Sequence, residues 1–194
     1  MLLSPDDTVK AQLMDAADLD RTLNRLARQI VEHLDEEAEP AERLALVGMQ
    51  TRGVHLARRL RRKIADFEGL ELPFGVLDAT MYRDDFRKRL RQPVVHPTDI
   101  PFDVHDRRLV LVDDVLYTGR TTRAALDALM DLGRPASVRF LVLIDRGLRE
   151  LPVRPDFVGR TVPTTPGEEV RVRLSEVDEA DGVWLVERRG TNDE

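Results

Sequence analysis

The chain has 194 residues, 42% hydrophobic and 34% charged, which suits one well-filled globular domain, and no apolar run nears the ~18 residues of a membrane-spanning helix. The absence of cysteine excludes disulfides and thiolate metal sites, no charged-then-apolar leader suggests export, and a reducing cytoplasm is the expected compartment. A net charge of −6 argues against indiscriminate nucleic-acid binding, because phosphate contacts need a local excess of Lys and Arg, but it leaves room for a local basic patch.

Residues 1–14 read as an N-terminal extension, loose to Asp7 and then a short edge strand from Thr8 to Met14. Asp15 has the character of a helix N-cap, with Asp18 three residues on. Leu19, Leu23, Leu26, Ile30 and Leu34 then recur at spacings of four and three, the apolar stripe of a long helix. Its other side carries Arg21, Arg25 and Arg28, either a solvated face balanced by neighbouring acids or a contact for RNA. Leu44–Met49 is a buried strand, and Thr51, Arg52 and Gly53 open the helix Val54–Glu68, aiming backbone N–H groups and a guanidinium at an anion unless they form a plain turn. That helix turns Leu56, Leu60 and Ile64 inward and Arg58, Arg59, Arg61, Arg62 and Lys63 outward. A third strand spans Leu72–Met81. The charged run Tyr82–Arg91 and Pro93, Pro97 and Pro101 form an irregular insertion, readable as a lid or as an exposed hairpin.

Leu109–Val112 is a β-branched-rich run expected of a central parallel strand buried on both faces. It ends in Asp113 and Asp114, where an open α/β sheet presents its ligand site. Val115 and Leu116 lead into Tyr117, Thr118, Gly119, Arg120, Thr121 and Thr122. These supply a glycine, hydroxyls and successive backbone N–H groups at a helix N-terminus, which suit a phosphate dianion. The carboxylates suit ribose hydroxyls, so the motif reads as a 5-phosphoribosyl pocket. A receiver-type signalling domain also carries paired aspartates after an apolar strand, but it places them near the chain start and lacks the Thr-Gly-Arg-Thr-Thr continuation. Leu126, Leu129 and Met130 are expected to face inward on the following helix, which Gly133 and Pro135 end. Ser137–Asp145 is a further apolar strand. At Asp156–Gly159 the Phe157 ring could stack on a base while the Val158 backbone reads its edge, or Phe157 could be a core residue. Val170–Leu174 and Val183–Val186 read as a closing antiparallel pair, and residues 188–194 as a disordered tail. The four histidines, His33, His55, His96 and His105, show no metal-ligand spacing and read as surface or loop residues.

Several blocks in order resemble the PyrR family of pyrimidine operon attenuators that are also uracil phosphoribosyltransferases. They are Val47–Gly53, Tyr82–Asp85, Leu111–Thr121, Gly133–Pro135, Asp145–Gly147, Arg149–Pro152 and Ser175–Asp178, within a resemblance running from about Asp15 to Val186. The resemblance implies an α/β, type I phosphoribosyltransferase fold over residues 15–187, with a mostly parallel central sheet, helices on both faces and a small hood. It implies conversion of uracil and phosphoribosyl pyrophosphate (PRPP) to UMP and pyrophosphate, with Mg2+ carried by PRPP and no direct protein ligand to the metal. Asp113 and Asp114 would hold the ribose hydroxyls, Thr118–Thr122 the 5-phosphate, and Thr51 and Arg52 the pyrophosphate. Tyr82 and Arg83 would belong to the flexible loop, and Phe157 and Val158 would line the base pocket with Arg146 close by. Purine-type members carry Asp where this chain has Tyr117, and that difference favours a pyrimidine. The resemblance also implies binding of a pyrimidine operon mRNA leader, with UMP or UTP as co-regulator and Arg25, Arg28, His33 and Arg149 as candidate contacts, in a homodimer or dimer of dimers. A salvage enzyme that never touches RNA is the alternative, and a regulator with negligible catalysis a third reading.

Overall fold

A computed structural model describes residues 7–36, 43–83 and 97–188. Five strands, β2 (Leu44–Met49), β3 (Phe74–Leu77), β4 (Arg108–Leu116), β5 (Ser137–Asp145) and β6 (Phe157–Thr161), form a parallel sheet in the order β3-β2-β4-β5-β6. Their side chains alternate between two apolar layers, which is why the strands read as continuous hydrophobic runs. Val110, Val112, Leu141 and Leu143 face the layer of α1 (Ala16–Glu36) and α2 (Arg52–Glu68). Leu109, Leu111, Phe140 and Val142 face that of α3 (Arg120–Leu132). Helices therefore cover both faces, and the α/β arrangement expected from the motif is the one observed.

Local chemistry sets the element ends. Asp15 and Asp18 cap α1 reciprocally: the Asp18 N–H donates to Asp15 Oδ1 at 2.7 Å and the Asp15 N–H to Asp18 Oδ2 at 3.3 Å. Leu19, Leu23, Leu26 and Ile30 are at most 2% exposed, each worth roughly 1.5–3 kcal/mol of burial. β3 is shorter than the strand expected over Leu72–Met81. Asp78 Oδ1 accepts the Thr80 N–H at 2.7 Å, and this local turn gives way to a 3-10 turn over Thr80–Tyr82. On α3 the inward face is Ala124, Ala125, Ala128 and Leu129, while Met130 is 49% exposed. Met130 thus departs from expectation, because one step along a helix rotates a side chain about 100° away from Leu129.

A second, antiparallel sheet forms the hood in the order β1-β8-β7, from β1 (Asp7–Met14), β7 (Glu168–Arg173) and β8 (Gly182–Arg188), with the short helix α4 (Ser175–Asp178) between β7 and β8. β1 is an edge strand, running beside the C-terminal strand with Thr8 opposite Glu187. Residues 1–6 and 189–194, and the part of the expected lid over residues 84–96, lie outside the described residues.

The sheet order places a topological switch point between β2 and β4. From β2 the chain first steps outward to β3, then crosses back to β4 on the other side. Loops after the carboxyl ends of these two strands diverge there and leave a crevice, the general ligand position of open α/β sheets.

Candidate functional site

Asp113 and Asp114 stand beside that crevice. Strand alternation sends them to opposite faces, and the cation each feels differs accordingly: Arg83 for Asp113, Arg52 for Asp114. The Asp114 N–H donates to Asp113 Oδ1 at 2.9 Å and the Val115 N–H to Asp114 Oδ1 at 3.0 Å. Burial, and then the adjacent Asp114 charge, push the Asp113 carboxyl well above its ordinary range. Burial also raises Asp114, with Arg52 the chief opposing influence. In the free protein both carboxyls thus hold a proton to higher pH than an exposed carboxyl would, and a ligand supplying hydroxyl donors and positive charge would act against that shift.

The phosphate-sized loop follows directly. Gly119 has φ +90°, and a Cβ there would sit 3.2 Å from Val153 Cγ2, so only glycine makes this turn without strain. The Thr118 carbonyl accepts the N–H groups of Glu150 and Leu151, both at 3.0 Å, which holds the loop from behind. At the start of α3 the Arg120 N–H donates to Thr118 Oγ1 at 3.4 Å and the Arg123 N–H to the Gly119 carbonyl at 2.9 Å, and Thr122 is buried. Arg120, which opens α3, pairs with Glu150 at 2.6 Å. Arg83 donates from Nη1 to Thr121 Oγ1 at 3.1 Å, so the stem of the candidate lid reaches this loop. Tyr82 turns aside, its hydroxyl donating to Asp131 on α3 at 2.6 Å.

The second candidate anion loop lies across the switch point. A Cβ on Gly53 would come 2.4 Å from the Val112 carbonyl oxygen, so α2 starts in direct backbone contact with β4. That approach brings Arg52 within electrostatic reach of Asp114. The Arg52 fork is held by Asp178 of α4, through Nε at 3.0 Å and Nη2 at 2.6 Å. Thr51, in the same turn, is exposed.

Asp178 is a site neighbour to which sequence reasoning assigned no role. Its block, Ser175–Asp178, was visible only as part of the resemblance, and nothing local ties it to Arg52. Arg59, expected to be solvated, likewise holds the hood: it pairs with Glu176 at 2.6 Å and Asp181 at 2.7 Å. Burial acts to raise Asp178 and Asp181, but hydrogen bonds from Arg52 and Arg59 and from backbone N–H groups hold both below their ordinary range, and Arg59 lowers Glu176. Acids with depressed folded values contribute stability that is present above the unfolded carboxylate range of about 4 and lost as pH falls through the folded values. Thermal melts should therefore show Tm dropping below about pH 4, and Arg59→Met should flatten that limb. An acid limb identical in both proteins would assign the bridges no share of it.

The expected base-pocket residues separate. Arg146 is 6% exposed, donates from Nε to Thr164 Oγ1 at 3.0 Å and from Nη2 to the Glu168 carbonyl, and lies 4.0 Å over the Tyr117 ring. It therefore backs the Tyr117 end of the crevice as a cation–π partner. The Phe157 ring instead belongs to the α1 layer, edge-on to His33 at 5.9 Å, which is the core alternative for that residue. Val158 faces the opposite layer and its carbonyl accepts from Arg25 at 3.2 Å.

The candidate RNA contacts divide between surface and interior duties. Arg25 also donates to the Gly159 carbonyl at 2.5 Å, tying α1 to the sheet-edge strand β6. Arg149 donates to the carbonyls of Tyr117 (2.7 Å), Gly147 (3.1 Å) and Val153 (3.2 Å) and pairs with Asp145 at 2.6 Å. Arg28 is exposed, 4.9 Å over the Phe67 ring. His33 lines an open hollow of about 400 Å³ with Arg154, Pro155, Asp156 and Phe157.

Comparison with known proteins agrees with this geometry. The family described as the phosphoribosyl transferase domain matches residues 11–176. The bifunctional protein PyrR of Thermus thermophilus is 56% identical over 181 residues, covering 93% of this chain and 98% of that protein. The proteins of the same name from Deinococcus radiodurans and Listeria monocytogenes are 51% and 49% identical, each covering 91% of this chain and 94% and 96% of their own lengths. Among solved structures, a hypoxanthine phosphoribosyltransferase of Trypanosoma cruzi superposes with TM-score 0.72 at 16% identity, covering 91% of this chain and 95% of that one. One from Staphylococcus aureus superposes with TM-score 0.65 at 16% identity, covering 94% of each chain, and both likenesses concern the fold alone. With an acid pair between two anion-sized loops at the switch point, and with this identity along nearly the whole chain, the protein belongs to the phosphoribosyltransferase domain family and, within it, to the PyrR proteins.

Proposed function

We propose that this chain transfers the 5-phosphoribosyl group of PRPP to uracil, giving UMP and pyrophosphate, and that it regulates pyrimidine genes by uridine-nucleotide-dependent binding to their mRNA leader. The observation that carries the catalytic reading is the adjacent carboxylates of buried Asp113 and half-buried Asp114 standing between the loop of Gly119 and the loop of Gly53. Asp113 and Asp114 accept hydrogen bonds from the ribose hydroxyls and so orient the sugar. The N–H groups and hydroxyls of Thr118–Thr122 hold the 5-phosphate. Arg52 and Thr51 receive the pyrophosphate, and Arg83 adds charge from the lid stem. The bond from the anomeric carbon to the pyrophosphate oxygen breaks, its electron pair leaving with pyrophosphate, as that from N1 of uracil forms and the N1 proton passes to solvent, with positive charge developing on the ribose ring. Catalysis is then mainly positioning and charge stabilisation. Members of the wider family generally use Mg2+ with PRPP. Two adjacent carboxylates are hard oxygen donors suited to an ion held mostly by the ligand, and no larger cluster of metal-ligating side chains occurs among the described residues. Bound with PRPP, Mg2+ supplies neutralisation of the leaving group.

The regulatory half rests on the relatives' shared name and on the exposed Arg28 face of α1. Uridine nucleotide in the pocket and RNA on the surface are then thermodynamically linked. A second reading, pyrimidine salvage without RNA binding, is favoured by the internal bonds that already engage Arg25 and Arg149. We place the activity in the cytoplasm, in a homodimer or dimer of dimers. Among the described residues no helix is long and apolar enough to cross a membrane.

One titration separates the readings. The protein is titrated against the leader RNA of its own pyrimidine genes at fixed near-physiological salt, with and without UMP, beside an assay of uracil conversion. Specific binding strengthened by UMP, together with UMP synthesis, is the expected result. Turnover without specific RNA binding would leave salvage alone, and RNA binding without turnover would leave a regulator.

A further inference from the structure

Arg52 has a long, flexible side chain and two carboxylates compete for it. Asp178 takes its Nε and Nη2 edge in a bidentate fork, while Asp114 lies within electrostatic reach. The Nη1 donors have no partner among the described residues, so the second edge of the guanidinium remains able to bind an anion. Asp178 sits on α4, between the two hood strands β7 and β8, and its own geometry is fixed twice over. Its Oδ2 also accepts the Leu174 N–H at 3.1 Å, and its N–H donates to the Leu174 carbonyl at 2.7 Å. Glu176 on α4 and Asp181 just after it are clamped by Arg59, about two turns along α2 from Arg52. The hood thus reaches down to the start of α2 with a rigid acceptor.

We propose that Asp178 is a positioning residue for pyrophosphate: it holds one edge of Arg52 so that the other edge faces the leaving group and does not collapse onto Asp114. The inference rests on the reading of Arg52 as a pyrophosphate ligand. Loss of Asp178 releases the guanidinium to Asp114, the other carboxylate within its electrostatic reach. That contact removes a pyrophosphate donor and takes up acceptor capacity needed for the ribose hydroxyls. The added positive charge left by deleting Asp178 acts the other way. Orientation outweighs it here, because a freed Arg52 neutralises itself on Asp114.

The test measures binding of magnesium pyrophosphate by calorimetry, and KM for PRPP and for uracil, in the full-length protein. Asp178→Ala should weaken pyrophosphate and raise KM for PRPP by about tenfold, the usual scale for removing a residue that orients a ligand-binding group, with KM for uracil unchanged. Asp178→Asn, which keeps one acceptor, should lose less. Glu176→Gln removes a neighbouring hood contact without touching Arg52 and should leave the PRPP and pyrophosphate constants as they are. Arg52→Ala with Asp178→Ala should bind pyrophosphate no more weakly than Arg52→Ala alone, since one acts through the other. Unchanged or tighter pyrophosphate binding in Asp178→Ala would overturn the inference, as would an equal loss in Glu176→Gln. If Arg52→Ala weakens pyrophosphate and Asp178→Ala does not, only the positioning role fails. If Arg52→Ala binds normally, the assignment of Arg52 fails and takes this inference with it.

Discussion

Replacing Asp113 or Asp114 by Asn is expected to lower kcat/KM for PRPP while raising the melting temperature of the ligand-free protein. A hydrogen bond to a charged group contributes about 1.5–3 kcal/mol, so losing one carboxylate's proposed bonds to the ribose hydroxyls should cost roughly 10–100-fold in kcat/KM. The stability effect has the opposite sign. Both carboxyls are raised by burial, Asp113 further by the Asp114 charge, so their ionised forms are held at a cost in the folded state. Asn keeps the Oδ1 acceptor that receives the next residue's N–H and removes the charge. Tm should rise most for Asp113→Asn, at about 2–4 °C per kcal/mol for a chain of this size. The pH sign follows from the raised values. The pair's contribution to stability is greatest below the unfolded carboxylate range of about 4 and declines as pH rises through the higher folded values. This is opposite to the hood acids. PRPP affinity should rise over the same interval as the pair becomes ionised. The checks are steady-state kinetics beside thermal melts across pH, and wild-type turnover in Asp114→Asn would remove that carboxylate from the ribose site.

Gly53→Ala should be the most damaging single methyl in the site. The added Cβ would lie 2.4 Å from the Val112 carbonyl oxygen and 3.1 Å from Asp113 Cα, and both are strand backbone that cannot rotate away. Overpacking of a fixed core costs about 1–3 kcal/mol and more where backbone must move, so we expect about 3 kcal/mol, or roughly a 6–12 °C loss in Tm. Relief requires α2 to slide outward from β4, which carries Arg52 away from the crevice and separates the two anion loops. PRPP turnover should then fall by more than the loss of folded protein explains. Gly167→Ala is the matched control, since a Cβ there meets nothing within 4 Å. Equal melting temperatures for the two variants would show that α2 accommodates the methyl, and the close approach would not be what holds the loops together.

Asp113 to Thr122 stood out as a strand, an acid pair and a turn into a helix because their signal is local: an apolar strand, two acids and a glycine-bearing helix start, consecutive in the chain. The α1 stripe and the Asp15–Asp18 cap were readable for the same reason, since periodicity and capping act over three or four residues. These features determine which elements form and which faces are apolar, and the sheet with helices on both sides follows from strands apolar on both faces. What meets across the fold is a different matter. Arg52 and Asp178 are 126 residues apart, Arg59 and Asp181 122, and Arg25 and Gly159 134, and an arginine on a helix surface looks the same in sequence whether it faces water or a hood carboxylate. The Phe157 ring presented a similar ambiguity, settled only when β6 paired with β5 in the register that sets Phe157 beside Leu141 on the α1 layer. The sequence by itself thus determined the elements and the acid pair with its phosphate-sized loop. Only the tertiary structure decided which cations the hood holds and which side chains remain to meet a ligand, because those depend on strand order and register, which no local pattern encodes.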